Sequence, residues 1–530
     1  MKKNKVIFTA GAFDLLHINH IRFLKKVKSY ADYLIVGLAS DELIESYKRK
    51  PILSYNIRFE MLKELNFIDK IIKQERMTKD LPISFYNNNN IDYQIQSDTD
   101  KHYYNRKDVK FIFLKPYFGL HTTNIINKIQ GKIYKVCLVG GTSTSHYLAS
   151  ILSEKANYQV NLLTRNPDKW SKNITTIDVN GNILANGLIN KISNKPEDVI
   201  PECDFVIISV PSFAIEEVVK NIAIHISDNT VLGKLPGTGG FDWVVKKYVN
   251  KKNLTIFGTQ RLPLVVRKID YGKKFLLYGQ KKKIPFACIP YEKNNIIKKL
   301  LEEIFSYECV CLPNYLNVTL TPSNPILHTS RLYSLFKDWN NKIYNEQIKF
   351  YEEWDNLSLI NLEGCDNEVQ LICKELKDIT GVLPLEKSYI DIYKNDIIDK
   401  TNLLTMIKTN KSYEGILTPM IKKENGYIPD FESRYLTEDI PFGLLILKAI
   451  ALILKIDTPF FDKILLWGQK VINKEYLVNN KLIGKDINDT TIPQLFGINT
   501  KEDLINFEFN ILTSTDWKYI WDEKKGINSL

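Results

Sequence analysis

Two passages of this chain open in the same way, and together they restrict the fold more than any other feature. "VIFTAG" (6–11) leads into "AFDLLHINHIRFLKKVK" (12–28), and "YKVCLVGG" (134–141) leads into "TSTSHYLASILSE" (142–154). Each is a β-rich run, a turn of small residues and then a helical segment. The second continues into another strand, "YQVNLLTR" (158–165). Strand, turn, helix and strand in that order imply a parallel sheet with crossover helices. Two such starts imply two nucleotide-binding-type domains in series. A length of 530 residues fits this, because it exceeds what one ordinary core holds.

After about residue 325 the pattern changes. "TSRLYSLFKDWNNKIYNEQIKFYEEW" (329–354) carries apolar residues at helical spacing, and most of the remaining chain reads the same way, to a tail ending in "DWKYIWDEKKG". The expected organisation is α/β, with a nucleotidyltransferase Rossmann-like domain over 1–132, a dinucleotide-binding Rossmann domain over 133–318 and an all-α domain over 319–530. The Asn-rich "YNNNNID" (86–92) reads as a loop, and the first boundary falls near "NKIQGKIYK" (127–135), where a helix ends at Gly131.

Composition narrows the function classes. The net charge of +11 is a modest excess for this length, and no run of five or six basic residues occurs, so nucleic acid is not an expected partner. Small anionic substrates fit the charge. The seven cysteines form no C-x-x-C pair and read as a reduced, cytosolic set, which places the chain in the cytoplasm. "MKKNKVIFTAGAF" imitates a signal peptide, but its apolar stretch is short and Asp14 and His17 follow at once. "GLLILKAIALILKI" (443–456), interrupted by Lys448, is shorter than the ~20 residues a membrane span needs, so a buried helix is expected. A homodimer is compatible with all of this.

His17 and His20 in "FDLLHINH" can share one face of the first turn of a helix. Two imidazoles there could hold a phosphate, bind a metal or pack. A helix start just past a turn presents free N–H groups and favours an anion. "RKPILSYNIRFEMLKEL" (49–65) adds Lys50 and Arg58, and "GLHTTNIINKI" (119–129) adds Thr122 and Thr123 at a second helix start. Cations, imidazoles and helix termini together suit nucleotidyl transfer, which needs charge stabilisation and in-line placement.

These residues resemble the cytidylyltransferase family, most closely the glycerol-3-phosphate cytidylyltransferase type. "GAFDLLHINH" looks like its G-x-F-D-x-x-H-x-G-H signature, "RKPILSYNIR" like its Lys/Arg segment and "GLHTTNII" like its G-I-S-T-T segment. The resemblance covers residues 5 to 130. It implies that His17 and His20 stabilise the α-phosphate transition state and the departing pyrophosphate of CTP, which enters with Mg2+. It implies that Lys50 and Arg58 bind phosphates, that Thr122 and Thr123 cap the triphosphate, and that Gly11, Phe13, Asp14 and Asp98 complete the nucleotide site. Asn19 stands where the family has Gly, Ala12 replaces a usual Thr, Lys115 is the nearest cation to a usual Arg, and "QSDTDK" (96–101) replaces a G-D-D segment.

In "VGGTSTSH" (139–146) only Gly140 and Gly141 of a dinucleotide fingerprint are glycines; Thr142 and Ser143 follow, and small hydroxyl residues can still approach and donate to a pyrophosphate. Arg165 occupies the strand end where an NAD site would carry an acid, which favours NADPH over NADH. "DFVIISVPS" (204–212) reads as the next core strand, ending in Pro211 and Ser212 at the carboxyl edge where ligands sit. In "LTPSNPILHTSRLY" (320–333) Asn324 and His328 are four apart; "SRYLTEDIPFGL" (433–444) places Arg434 and Asp439 before the apolar run. A carbonyl receiving hydride needs a proton donor. An imidazole backed by a carboxylate supplies one.

These segments look like the octopine/nopaline (opine) dehydrogenase family, through N-x-x-x-H at Asn324 and His328 and the distal Asp439. "GTQRLPLVVRKIDYG" (258–272) is similar to a family strand segment, which makes Arg267 a substrate-anion candidate beside Arg434. This resemblance runs from residue 133 to 525. Opine synthesis gives a cytidylyltransferase nothing to act on, whereas a polyol phosphate serves both halves. The pairing implies a bifunctional enzyme that reduces a ketose phosphate to an alditol phosphate and couples it to CTP, giving a CDP-alditol for capsule or teichoic-acid-like polymers.

Overall fold

The computed structural model describes residues 5–47, 50–97, 108–114, 122, 133–281, 283–321, 323–376, 382, 384–393 and 396–509. The chain divides into two compact units, Met1–Ile133 and Tyr134–Leu530.

The first unit is built on a five-stranded sheet. Its strands are β1 (Val6–Gly11), β2 (Tyr33–Ala39), β3 (Lys70–Gln74), β4 (Tyr93–Ser97) and β5 (Phe111–Leu114), in the order β3-β2-β1-β4-β5. Every pairing is parallel. Central strand β2, "YLIVGLA", is apolar nearly throughout because both of its faces are covered. Helix α1 (Ile18–Lys28) follows β1 and sends Leu24 and Val27 into the core with Ile7, Leu34, Val36 and Ile95; helix α2 (Tyr55–Lys63) adds Leu62. The Asn-rich stretch is only partly a loop: 83–88 form a short helix. Tyr86 is buried there and donates to Gln94 Oε1 (2.7 Å), which outweighs the poor helix propensity of asparagine.

The second unit carries an eight-stranded sheet. It comprises β6 (Tyr134–Val139), β7 (Tyr158–Leu163), β10 (Lys191–Ser193), β11 (Phe205–Ile208), β12 (Val231–Lys234), β13 (Thr255–Thr259), β16 (Lys283–Ile289) and β17 (Glu308–Cys311), in the order β10-β7-β6-β11-β12-β13-β16-β17. Only the β13–β16 pairing is antiparallel. A smaller sheet, β14-β15-β8-β9, uses β8 (Asn173–Ile177), β9 (Ile183–Leu188), β14 (Leu264–Asp270) and β15 (Lys274–Gln280). Helix α3 (Ser143–Ser153) packs against it.

The carboxy-terminal part is helical, with α4 (Ser323–Phe336), α5 (Asn356–Glu375), α6 (Leu445–Ile453) and α7 (Pro459–Val471). It departs from all-α in one hairpin, β18 (Met420–Lys423) with β19 (Gly426–Pro429). The apolar run is the buried helix its length predicts: α6 is buried from Leu445 to Ala451, and Lys448 Nζ meets Asp462 Oδ1 at 2.6 Å. Sheet and helices share one core, in which Val139, Ile208 and Trp243 join Leu444, Ile446 and Phe461. Trp243 donates its indole N–H to Thr491 O (2.9 Å) across that core.

Candidate active sites

In the first unit, β1 ends at Gly11, where a Cβ would lie 3.1 Å from the Phe13 ring. Phe13 (φ 47°) and Leu15 (φ 50°) are both left-handed, a costly conformation for bulky residues and one that concentrates at functional loops. His17 precedes α1 in extended conformation without spending its side chain on a cap. Its ring stacks on that of His20, with centroids 3.8 Å apart. Thr122 Oγ1 donates to Asp14 O (3.1 Å) and lies 3.4 Å from His17 Nε2.

Asp14 accepts the backbone N–H groups of Ile52 and Leu53, both at 3.0 Å, and so ties the segment after Lys50 to this loop. Lys50 is exposed. Arg58 is fully buried. It donates to Leu53 O (3.0 Å), Ala12 O (2.6 Å) and Asp41 Oδ1 (2.6 Å). Its guanidinium therefore organises the loops that carry the histidines, and its charge is balanced by Asp41. Asp98, Lys115 and Thr123 lie outside the described residues.

In the second unit, Gly140 has φ 112°, and a Cβ there would fall 2.4 Å from Ser209 O. Only glycine makes this turn. Thr142 caps α3, accepting from Ser145 N (3.4 Å), and its hydroxyl lies 2.7 Å from Ser209 Oγ. Gly141 and Ser143 flank that cap. Pro211 and Ser212 follow β11 at the same carboxyl edge, and exposed Arg165 stands just beyond β7. A glycine turn running into a helix start at this edge fits the pyrophosphate of a dinucleotide.

His328 sits on α4, one turn after the exposed Asn324, and is 5% exposed. Its Nδ1 is 2.8 Å from Asp439 Oδ2, although 111 residues separate the two. Its Nε2 is 3.1 Å from the Tyr351 hydroxyl, and its ring stacks on Tyr435 with centroids 3.8 Å apart. Asp439 opens a π turn over Ile440–Leu444, in which Leu444 N donates to Asp439 O (2.8 Å). Burial pushes the Asp439 carboxyl up, against the downward pull of the His328 bond and charge. Burial also holds the Tyr351 phenol far above its ordinary range.

With the carboxylate accepting at Nδ1, that nitrogen keeps its proton, and Nε2 is the edge that exchanges one. Next in sequence, Glu438 Oε1 accepts Ser212 N (2.7 Å), so the loop after β11 and the Asp439 turn are bonded directly. Arg434 Nε donates to Glu438 Oε2 (2.7 Å) from an exposed position. Arg267 is not brought to this site: it is exposed on β14, over the Tyr278 ring at 4.7 Å. Tyr351, Tyr435 and Glu438 are part of the arrangement and carried no motif in the sequence.

A dinucleotide-type sheet with a His–Asp pair bonded to its carboxyl edge defines an NAD(P)-dependent reductase, here joined to a nucleotidyltransferase-type sheet. Family models agree: cytidylyltransferase-like over residues 8–128, ketopantoate reductase PanE/ApbA over 136–257, and the alpha-helical domain of NAD/NADP octopine/nopaline dehydrogenase over 311–472. Tauropine dehydrogenase of Arabella iricolor is 31% identical over 395 residues, which is 69% of this chain and 99% of that protein. A solved octopine dehydrogenase with NADH and L-arginine superposes with a TM-score of 0.65 at 27% identity, over 70% of this chain and 97% of that one.

The chain belongs to the octopine/opine dehydrogenase family. Its first unit matches part of a bifunctional protein, HldE of Campylobacter fetus subsp. fetus, 33% identical over 131 residues, covering 24% of this chain and 28% of that protein. The whole is a bifunctional oxidoreductase and nucleotidyltransferase. Among the described residues no helix is long and apolar enough to cross a membrane, and no group of three metal-ligating side chains occurs.

Proposed function

We propose that this enzyme reduces a ketose phosphate to an alditol phosphate and couples the product to CTP, giving a CDP-alditol and pyrophosphate. The supporting observation is the pairing on one chain of a His–Asp reductase site with a cytidylyltransferase-like site. A polyol phosphate is a product for the first and a substrate for the second. Gly140, Gly141, Thr142, Ser143, Pro211 and Ser212 hold the dinucleotide, and Arg165 takes its 2′-phosphate, so NADPH is preferred to NADH. The bound cofactor supplies hydride. His328 holds a proton at Nε2 and gives it to the carbonyl oxygen, Asp439 fixes the ring through Nδ1, and Asn324 and Arg434 bind substrate.

In the first unit the phosphate oxygen of the alditol phosphate attacks the α-phosphorus of Mg2+–CTP, and the bond to the β-phosphate oxygen breaks. His17, His20 and Lys50 stabilise the charge on that phosphorus and on the leaving pyrophosphate, while Gly11, Phe13, Asp14, Arg58, Asp98, Thr122 and Thr123 build the pocket. The product feeds capsule or teichoic-acid-like polymers. NADPH and CTP supply and the seven free cysteines fit the cytoplasm, and the assembly is a homodimer.

Relatives named for tauropine, opine and octopine favour a second reading, reductive joining of an amino acid to a 2-oxo acid. A screen of NADPH oxidation separates the two. Pentulose and hexulose phosphates are the expected substrates; turnover only with an amino acid plus a 2-oxo acid overturns the proposal.

A further inference from the structure

The segment joining β13 to the β14–β15 hairpin places two cations at one spot. Leu264 pairs with Gln280 at the root of the hairpin, and Lys281 N donates to Pro263 O (2.8 Å), so Arg261 and Lys281 flank the same closure. Both side chains are half-buried. They act on each other: burial and the neighbouring Arg261 charge bring the Lys281 ammonium down to about 7, and burial lowers Arg261 as well. The groups that act on Arg261 in the opposite sense are the phenols of Tyr393 and Tyr413. No carboxylate figures among the charged groups acting on Lys281 among the described residues. Two cations held together in a partly dry place are costly unless an anion joins them.

The same spot is connected to the acid of the reductase site. The Tyr413 ring stacks on Tyr351 with centroids 4.0 Å apart, and the Tyr351 hydroxyl lies 3.1 Å from His328 Nε2. Gln260, adjacent to Arg261, donates its side-chain amide to Asn317 O (2.9 Å) and Thr321 Oγ1 (2.7 Å), just before α4, which carries His328. The cations and the imidazole edge are thus fixed in one frame, with a pair of stacked tyrosines between them. That spacing suits the two ends of a sugar chain, a carbonyl at one and an anion at the other. A three-carbon 2-oxo acid, whose carboxylate adjoins its carbonyl, does not need a remote cation pair. Arg261 offers a planar fork and Lys281 a point charge, the combination that suits a phosphate monoester.

We propose that Arg261 and Lys281 form the subsite for the phosphate group of the carbonyl substrate in the reductase half. This rests on the ketose phosphate reading above and names the residues that read the phosphate. In full-length enzyme, Lys281→Met and Arg261→Gln should each raise KM for the ketose phosphate by ~10–100-fold, the worth of one charge-assisted phosphate contact, with kcat little changed. KM for the corresponding unphosphorylated ketose should not move, and Lys281→Arg should recover most of the loss. Inorganic phosphate should compete with the ketose phosphate in wild type and not in Lys281→Met. NADPH affinity and pyrophosphate release from CTP serve as controls for folding.

Equal KM changes for phosphorylated and unphosphorylated ketose, or undiminished phosphate inhibition in Lys281→Met, would overturn the subsite. If no ketose phosphate oxidises NADPH, the substrate reading fails separately. The subsite is then read by 31P line broadening of inorganic phosphate with NADP+ and CTP saturating their own sites. Broadening lost in Lys281→Met supports it, and broadening unchanged in that variant overturns it.

Discussion

His328 is held at both edges of its ring, by Asp439 at Nδ1 and Tyr351 at Nε2, and on one face by Tyr435. Removal of the imidazole removes the proton donor, so His328→Ala should lower kcat/KM for reduction by ~10²–10⁴-fold while NADPH affinity stays. Asp439→Asn should cost less, because the ring remains but its preferred tautomer is lost. Tyr351→Phe keeps the packing and removes the hydroxyl at Nε2; steady-state kinetics should show a kcat effect with a shifted pH–rate profile. For the cofactor, Arg165→Ala should weaken NADPH by ~10–100-fold and leave NADH nearly unchanged, measured by titration of nicotinamide fluorescence. Equal use of both cofactors by wild type would contradict this role. The pair of His328 and Asp439 was visible from the sequence because an acid before an apolar helix is out of place unless it has a partner. Tyr351 and Tyr435 were not visible, since an aromatic at helical spacing looks the same whether it packs in a core or flanks an imidazole. Arg58 shows the converse: a basic residue near a phosphate motif reads as a ligand, and only the fold reveals that Asp41, Ala12 and Leu53 occupy its guanidinium.

Helix α3 depends on a histidine that has no part in the chemistry. His146 Nδ1 donates to Thr142 O (2.7 Å), Nε2 accepts Gly272 N (3.0 Å), and the ring lies against Trp170 and Phe275, each at 3.7 Å. The two bonds require the neutral ring, and burial pulls its pKa down from 6.5 to about 4. A depressed folded value gives stability that is fully present above pH 6.5 and is lost as pH falls toward 4. The contribution is about 3 kcal/mol. Wild type should therefore lose denaturation midpoint between these pH values, and His146→Phe, which cannot titrate, should lose distinctly less over the same window; an equal loss would remove His146 as the cause. The strand-turn-helix starts were readable from periodicity and small-residue turns. The second, four-stranded sheet was not, because its strands come from two separated stretches, 173–188 and 264–280, and only long-range pairing joins them. The π turn at Asp439 was equally silent: a backbone bond from Leu444 to a residue five back leaves no mark on hydrophobic spacing.

At the scale of the whole molecule the two units carry different chemistries, and each should fail alone. His17→Ala or His20→Ala should abolish most pyrophosphate release from CTP, by ~10²–10³-fold or more as loss of transition-state charge stabilisation does, with NADPH oxidation retained. His328→Ala should show the reverse pattern. The division at Ile133/Tyr134 and the order of functions were legible because each unit begins with its own phosphate-type turn. The substrate was not, since relatives are named for amino-acid-derived opines and only the pairing of domains points to a polyol phosphate. The most direct test is product analysis of one reaction containing wild-type enzyme, NADPH, Mg2+–CTP and a panel of ketose phosphates, read by mass spectrometry. The expected products are one equivalent each of NADP+, pyrophosphate and a CDP-alditol two hydrogens heavier than the CDP-ketose would be, with alditol phosphate accumulating when CTP is omitted. NADPH oxidation confined to amino acid and 2-oxo acid mixtures, with no cytidylyl product, would contradict the bifunctional reading.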